Sequence, residues 1–205
     1  YVYAAGYCTG CGSLGGEAVY TAKFDAITGA LLWATSTDPS SDADRAWGVT
    51  ADETHVYVTG VRMDDAPYTD GYTVKLEASD GSLVWATTTS YQDTSYTFIF
   101  QDITSDADYL YMTGGCQNCL GIGVSETGWV TMKIDKANGD FIWATSTTMS
   151  GATDLDIAQE IVKDGDDLYI VGQCDTNCTV PNGGEDWEIM KLSDDGQTVH
   201  WRGGL

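Results

Sequence analysis

Apolar and polar residues alternate in short runs along the whole chain. Ala22 and Phe24, Val74 and Leu76, Met132 and Ile134, and Met190 and Leu192 share one parity, with Lys and Thr mostly on the other. Successive side chains of an extended chain point to opposite faces, so a period of two predicts half-buried β-strands. The runs are broken by Asp-Gly, Asn-Gly and Thr-Gly, and by Ala-Asp and Gly-Asp-Asp. These are the residues of tight hairpin turns. No stretch carries a helical period of useful length, so the predicted class is all-β.

The pattern also repeats. Lys23, Lys75, Lys133 and Lys191 are each followed ten residues on by a tryptophan: Trp33, Trp85, Trp143 and Trp201. A second block precedes each of these, with Tyr3, Tyr57, Tyr111 and Tyr169 each followed three residues on by Gly6, Gly60, Gly114 and Gly172. A further strand leads into the last three copies, in RAWGVTADE, FQDITSDAD and AQEIVKDGD. Each full unit therefore holds four strands in chain order: a, b, c (the lysine strand) and d (the tryptophan strand). The first unit opens at strand b. The units span approximately 1–37, 45–89, 98–147 and 157–205.

Period, strand count and turn spacing predict a β-propeller of four-stranded antiparallel blades. The c–d hairpin, from Asp25 through Thr28 and Gly29 to Trp33, resembles the D-x-x-T-G-x-x-x-W core of the tryptophan-docking repeat of quinoprotein-like propellers. The other copies are looser, with Asp80-Gly81, Asn138-Gly139 and an early Gly196. Strand b resembles the V-Y-V-T-G of bacterial-type propeller repeats. The resemblance implies a fold and says little of function. Four blades can close a ring, but propellers of this kind usually have seven or eight, so the four units read as part of a larger ring. Each tryptophan is expected to lie between blades, where burying its ring contributes roughly 3 kcal/mol. The lysines are expected either to pair with carboxylates of an adjacent blade or to snorkel.

Composition narrows the partners. The chain has 205 residues, 42 % of them hydrophobic, with 24 glycines and only three prolines. It carries 31 acidic against 9 basic residues, a net charge of −22. That charge repels nucleic acid and anionic membrane surfaces. No apolar run is long enough for membrane insertion. The chain opens at Tyr1 inside a strand with no visible signal peptide, which reads as a processed or partial form of a longer precursor.

All six cysteines follow strand b: Cys8 and Cys11, Cys116 and Cys119, Cys174 and Cys178. Three local pairs predict three short disulfides and a secreted, extracellular or cell-surface protein. A zinc site from Cys116, Cys119, Cys174 and Cys178 is the rival, but no histidine is near and Cys8 and Cys11 would be left over. Asn177-Cys178-Thr179 fits the N-glycosylation sequon, so Asn177 is a candidate glycosylation site.

Candidate chemistry is thin. Acidic residues cluster at Asp42 and Asp44, at Asp64, Asp65 and Asp70, at Asp106 and Asp108, at Asp154 and Asp156, and at Asp164, Asp166 and Asp167. Calcium is the one cofactor these suggest, but none fits the EF-hand spacing and Asp is a common turn residue. Trp47, Trp129 and Trp187 lie outside the repeated tryptophan position; such indoles beside carboxylates could stack on sugar rings, though blade packing suits Trp129 and Trp187 better. His55 and His200 lie in no Ser-His-Asp pattern. The expected role is a non-enzymatic structural or interaction module of an extracellular surface or appendage assembly. Its partners would be other protein subunits, copies of itself among them. The alternative is a glycan-binding propeller. A quinoprotein-like dehydrogenase fragment ranks lower, since it would need a quinone and calcium, and the adjacent cysteine pair common around that cofactor is absent.

Overall fold

The computed structural model describes residues 1–11, 16–37, 43–63, 69–90, 97–118, 127–147, 156–174 and 186–204. They form fifteen strands in four antiparallel sheets. The first sheet has three strands, β1 (Val2–Thr9), β2 (Glu17–Phe24) and β3 (Leu31–Thr37). The second has β4 (Arg45–Ala51), β5 (His55–Arg62), β6 (Asp70–Glu77) and β7 (Leu83–Thr89). The third has β8 (Thr97–Ser105), β9 (Tyr109–Gln117), β10 (Thr127–Asp135) and β11 (Phe141–Thr147). The fourth has β12 (Ile157–Asp164), β13 (Asp167–Cys174), β14 (Asp186–Ser193) and β15 (Val199–Gly204). Strands that follow one another in sequence pair with one another, which is the meander of a propeller blade.

The c–d hairpins form for a local reason. In blade 1, Asp25 Oδ1 accepts from the Ile27 and Thr28 amides at 3.0 and 2.8 Å and from the Thr28 hydroxyl at 2.8 Å. Gly29 closes the turn at φ +69°, and its counterparts Gly81, Gly139 and Gly196 lie at +78°, +78° and +74°. That left-handed conformation is open to glycine at little cost.

The cores lie between sheets. Val19 of blade 1 packs with Ala46, Val56, Val74 and Leu76 of blade 2. Tyr57 of blade 2 joins Phe98, Phe100, Leu110 and Met132 of blade 3. Tyr111 and Trp129 of blade 3 join Ile161, Leu168, Ile170 and Met190 of blade 4. A blade thus completes its core only against a neighbour.

The tryptophans and lysines join the same neighbours. Lys23 Nζ and Trp33 Nε1 both donate to the Ala78 carbonyl, at 2.6 and 3.2 Å. Lys133 Nζ and Trp143 Nε1 both donate to the Asp194 carbonyl, at 3.3 and 3.2 Å. Lys75 Nζ donates to the Lys136 carbonyl at 3.1 Å, while Trp85 Nε1 has no partner. The three indoles lie flat against the next blade's turn glycine. A Cβ there would sit 2.7 Å from the Trp33 ring at Gly81, 3.2 Å from Trp85 at Gly139 and 2.7 Å from Trp143 at Gly196. These three lysines therefore reach backbone carbonyls of the adjacent blade, not carboxylates. Carbonyls suffice because the strand-c position puts the ammonium over the turn while Tyr3, Tyr57 and Tyr111 face it as aromatic partners. Lys191 alone takes a carboxylate, and from its own blade: Asp167, at 2.8 Å.

Candidate functional site

The first strands of blades 2, 3 and 4 (β4, β8 and β12) lie against one another, while the last strands of the blades splay apart. The former are therefore the inner strands. Each is interrupted at the same place. The pairing of β4 with β5 skips Trp47, that of β8 with β9 skips Gln101, and that of β12 with β13 skips Gln159. Each skipped residue is a β-bulge, which kinks the strand and re-aims its side chains. The repeated strand-b glycine makes room for it: a Cβ on Gly60, Gly114 or Gly172 would collide with the backbone of Arg45, Ile99 or Ile157 just before the bulge. Gly6 of blade 1, beside which no such strand lies among the described residues, meets nothing within 4 Å.

The residues after the bulge are Gly48, Asp102 and Glu160. A Cβ on Gly48 would lie 2.9 Å from the Asp102 Cα, so β4 and β8 touch here. On the other side, Asp102 Oδ2 accepts from the Ile161 amide of β12 at 2.9 Å. The Asp102 carboxylate also faces Glu160. Glu160 is exposed as a residue. Its carboxyl is nonetheless held above the ordinary value, first by loss of water around it, then by the Asp102 charge. A carboxyl held above its ordinary value can take up or release a proton at a bound hydroxyl. Trp47, 38 % exposed, and the amides of Gln101 and Gln159 occupy the same level of the inner strands.

A second polar cluster sits at the a–b turns. Asp52 accepts from the Thr54 and His55 amides at 2.9 and 2.8 Å, from the Tyr57 hydroxyl at 3.0 Å and from Lys136 Nζ of blade 3 at 2.9 Å. Its carboxyl is held far below the usual range: burial works against this, and the Lys136 and amide hydrogen bonds outweigh it. Asp106 repeats the arrangement with Tyr109 and Tyr111, and Lys163 of blade 4 lies 3.8 Å from it and 3.0 Å from Asp194. These carboxylates are engaged in blade docking.

The other residues singled out in sequence are dispersed. Asp44 accepts from the Met63 amide at 3.1 Å and is buried, as is Asp156. Asp70 opens β6, and Asp108 lies in the β8–β9 turn. Asp164 ends β12 and Asp166 is in the turn after it. Asp167 lies 2.8 Å from Lys191 and 3.2 Å from His200. His55 contacts the Thr54 hydroxyl at 2.8 Å. Trp129 is buried and donates to the Gln173 carbonyl at 2.9 Å, whereas Trp187 is 54 % exposed. Cys8 and Cys11 are joined by a disulfide, and Cys116 and Cys174 are disulfide-bonded too. Cys119, Cys178, the sequon Asn177, and Asp42, Asp64, Asp65 and Asp154 lie outside the described residues. Among the described residues no group of three or more His, Cys, Asp or Glu is placed to hold a metal ion, and no helix is long and apolar enough to cross a membrane.

No family model and no curated protein matches the chain. Solved structures do. Quinohemoprotein alcohol dehydrogenase from Comamonas testosteroni superposes with a TM-score of 0.59 at 13 % identity, over 91 % of this chain and 33 % of its own. A quinohemoprotein alcohol dehydrogenase from Pseudomonas putida HK5 superposes with a TM-score of 0.51 at 14 % identity, over 92 % of this chain and 33 % of its own. In fold, the chain is a β-propeller resembling the quinoproteins. It spans about a third of the length of the structures it matches.

This corrects the expectation that the protein has no enzymatic role, because the structures that share its fold are alcohol dehydrogenases. In sequence, acids stand out where they cluster, and those clusters fit turn formation. Asp102 and Glu160 are single acids on neighbouring inner strands, so no local cluster marks them. The signal was present in strand a, where W-G, Q-D and Q-E share one repeat position and break the alternation.

Proposed function

We propose that the inner-strand site binds a polyhydroxylated compound, a sugar or related alcohol, and places one of its hydroxyls against the Asp102–Glu160 pair. Trp47 supplies an apolar ring face for the C–H side of a sugar ring. Gln101 and Gln159 each offer a carbonyl acceptor and two N–H donors, which suits hydroxyls that both give and take hydrogen bonds. Asp102, held by the Ile161 amide, orients the pair. Glu160 exchanges the proton. The observation that carries this reading is the bulge at the same position in three consecutive blades, with Asp102 of β8 bonded across to the Ile161 amide of β12 beside Glu160. The extracellular compartment, where such compounds are presented, is supported by the Cys8–Cys11 disulfide and the net charge of −22.

A glycan array probed with the 205-residue chain, with and without calcium, tests the binding step. The expected result is retention of one class of sugar, lost in Trp47→Ala and weakened with altered pH dependence in Glu160→Gln. An array with no bound sugar under either condition would sink the proposal.

A further inference from the structure

Two blade junctions use one polar cluster with different charges. At the junction of blades 3 and 4, Lys133 and Lys163 lie with the carboxylates of Asp106 and Asp194. Lys163 Nζ is 3.0 Å from Asp194 and 3.8 Å from Asp106, and Lys133 Nζ donates to the Asp194 carbonyl. At the junction of blades 2 and 3, Asp52 stands for Asp106 and Lys75 for Lys133, while Ser105 replaces Lys163 and Lys136 replaces Asp194. Two lysines therefore share one carboxylate of the cluster. Lys136 Nζ takes it, 2.9 Å from Asp52. Lys75 Nζ donates to the Lys136 carbonyl at 3.1 Å and lies 5.6 Å from the Tyr57 ring centre. Among the described residues no carboxylate pairs with it, although Lys75 is only 7 % exposed. An ammonium has three N–H donors, and burying it without a counter-charge is costly.

The space beside this lysine is open. A cavity of about 290 Å³ between blades 2 and 3 is lined by Lys75, Lys136, Tyr57 and Asp52, and also by Asp108 and Asp135. Lys75, Lys136 and Tyr57 are buried, whereas Asp108 is exposed. The ammonium groups therefore lie at the closed end and a carboxylate at the mouth. Asp135 is half-buried, and its Oδ1 accepts from the Ala137 and Asn138 amides at 2.7 and 3.3 Å. We infer that this cavity binds a small zwitterion of the amino-acid type. Its carboxylate accepts from Lys75 Nζ and supplies the counter-charge that Asp194 provides at the other junction. Its ammonium donates to Asp108. A simple anion would meet the carboxylate at the mouth and a surface of net charge −22. A simple cation would meet the two lysines. A molecule carrying both charges matches both ends.

Isothermal titration calorimetry on the 205-residue chain at low ionic strength, where charge contacts are least screened, tests this. The probes are glycine, β-alanine and 4-aminobutanoate, which hold the two charges at increasing separation, with acetate and methylammonium as the separate halves. One zwitterion should bind at least about tenfold more tightly than either half. Lys75→Met should abolish that binding. Asp108→Asn, a change at an exposed turn, should weaken it about tenfold while acetate binds no more weakly than before. No binding of any of the three zwitterions, acetate held as tightly as the best of them, or unchanged affinity in either variant would each overturn the proposal.

Discussion

The docking layer and the inner strands are built from the same repeat and have opposite habits. In the docking layer the chemistry is constant: indole, ammonium, carbonyl and turn glycine recur at each blade junction. On the inner strands the geometry is constant, a bulge beside a strand-b glycine, while the side chains change from Trp47 and Gly48 to Gln101 and Asp102 to Gln159 and Glu160. A position that must hold two blades together has few chemical solutions. A position whose backbone is fixed by other residues is free to carry different side chains, and that freedom is what a binding site uses.

The first way to break this comparison is to remove a docking indole. Trp143→Ala should cost about 3 kcal/mol of unfolding free energy, as for other large aromatic truncations. Trp201→Ala, measured on the 205-residue chain by the same urea titration, should cost less than about 0.5 kcal/mol, since among the described residues no neighbouring turn glycine is stacked on it. Equal losses would mean that the indoles matter within a blade and not between blades.

The glycine side of the contact gives a smaller effect. Gly81→Ala meets both a left-handed backbone and the Trp33 ring, and should cost about 2 kcal/mol. Gly29→Ala meets only the backbone among the described residues, and should cost about 1 kcal/mol. Matching values in denaturant would show that the ring contact contributes nothing.

The two layers should also answer pH in opposite directions. Asp52 is held below its unfolded value of 3.8. Its contribution is complete above that value and is lost as pH falls through the folded one. Glu160 is raised above its unfolded value of 4.5. Its contribution is present below that value and is lost as pH rises through the folded one. Thermal melts across this range should therefore show Asp52→Asn flattening the acid limb and Glu160→Gln flattening the limb above it. Both variants flattening the same limb would remove the distinction.

Much of the fold was legible because it rests on local rules. Alternation marked the strands, Asp25, Thr28 and Gly29 marked the turn, and the Lys23–Trp33 spacing marked the hairpin that docks. The meaning of Gly60, Gly114 and Gly172 was not legible, since they are explained by a bulge in the strand opposite. The lysine partners were missed for a related reason: a backbone carbonyl has no letter in the sequence, so carboxylates were the natural expectation. Asp102 and Glu160 come together only when β8 and β12 pack side by side, and no local spacing encodes that. Trp47 was visible as an indole outside the repeat, but its alignment with Gln101 and Gln159 across the bulges required the ladder register.

The most direct test of the account is to make blade 2 like its neighbours with Trp47→Gln and measure melting temperature and glycan-array binding on the same preparation. The account predicts a melting temperature within roughly 2 °C of the parent, as for a surface change of less than about 0.5 kcal/mol, together with loss of sugar binding. Unchanged binding, or a sharp fall in melting temperature, would contradict the claim that the inner strands carry recognition on a backbone fixed elsewhere.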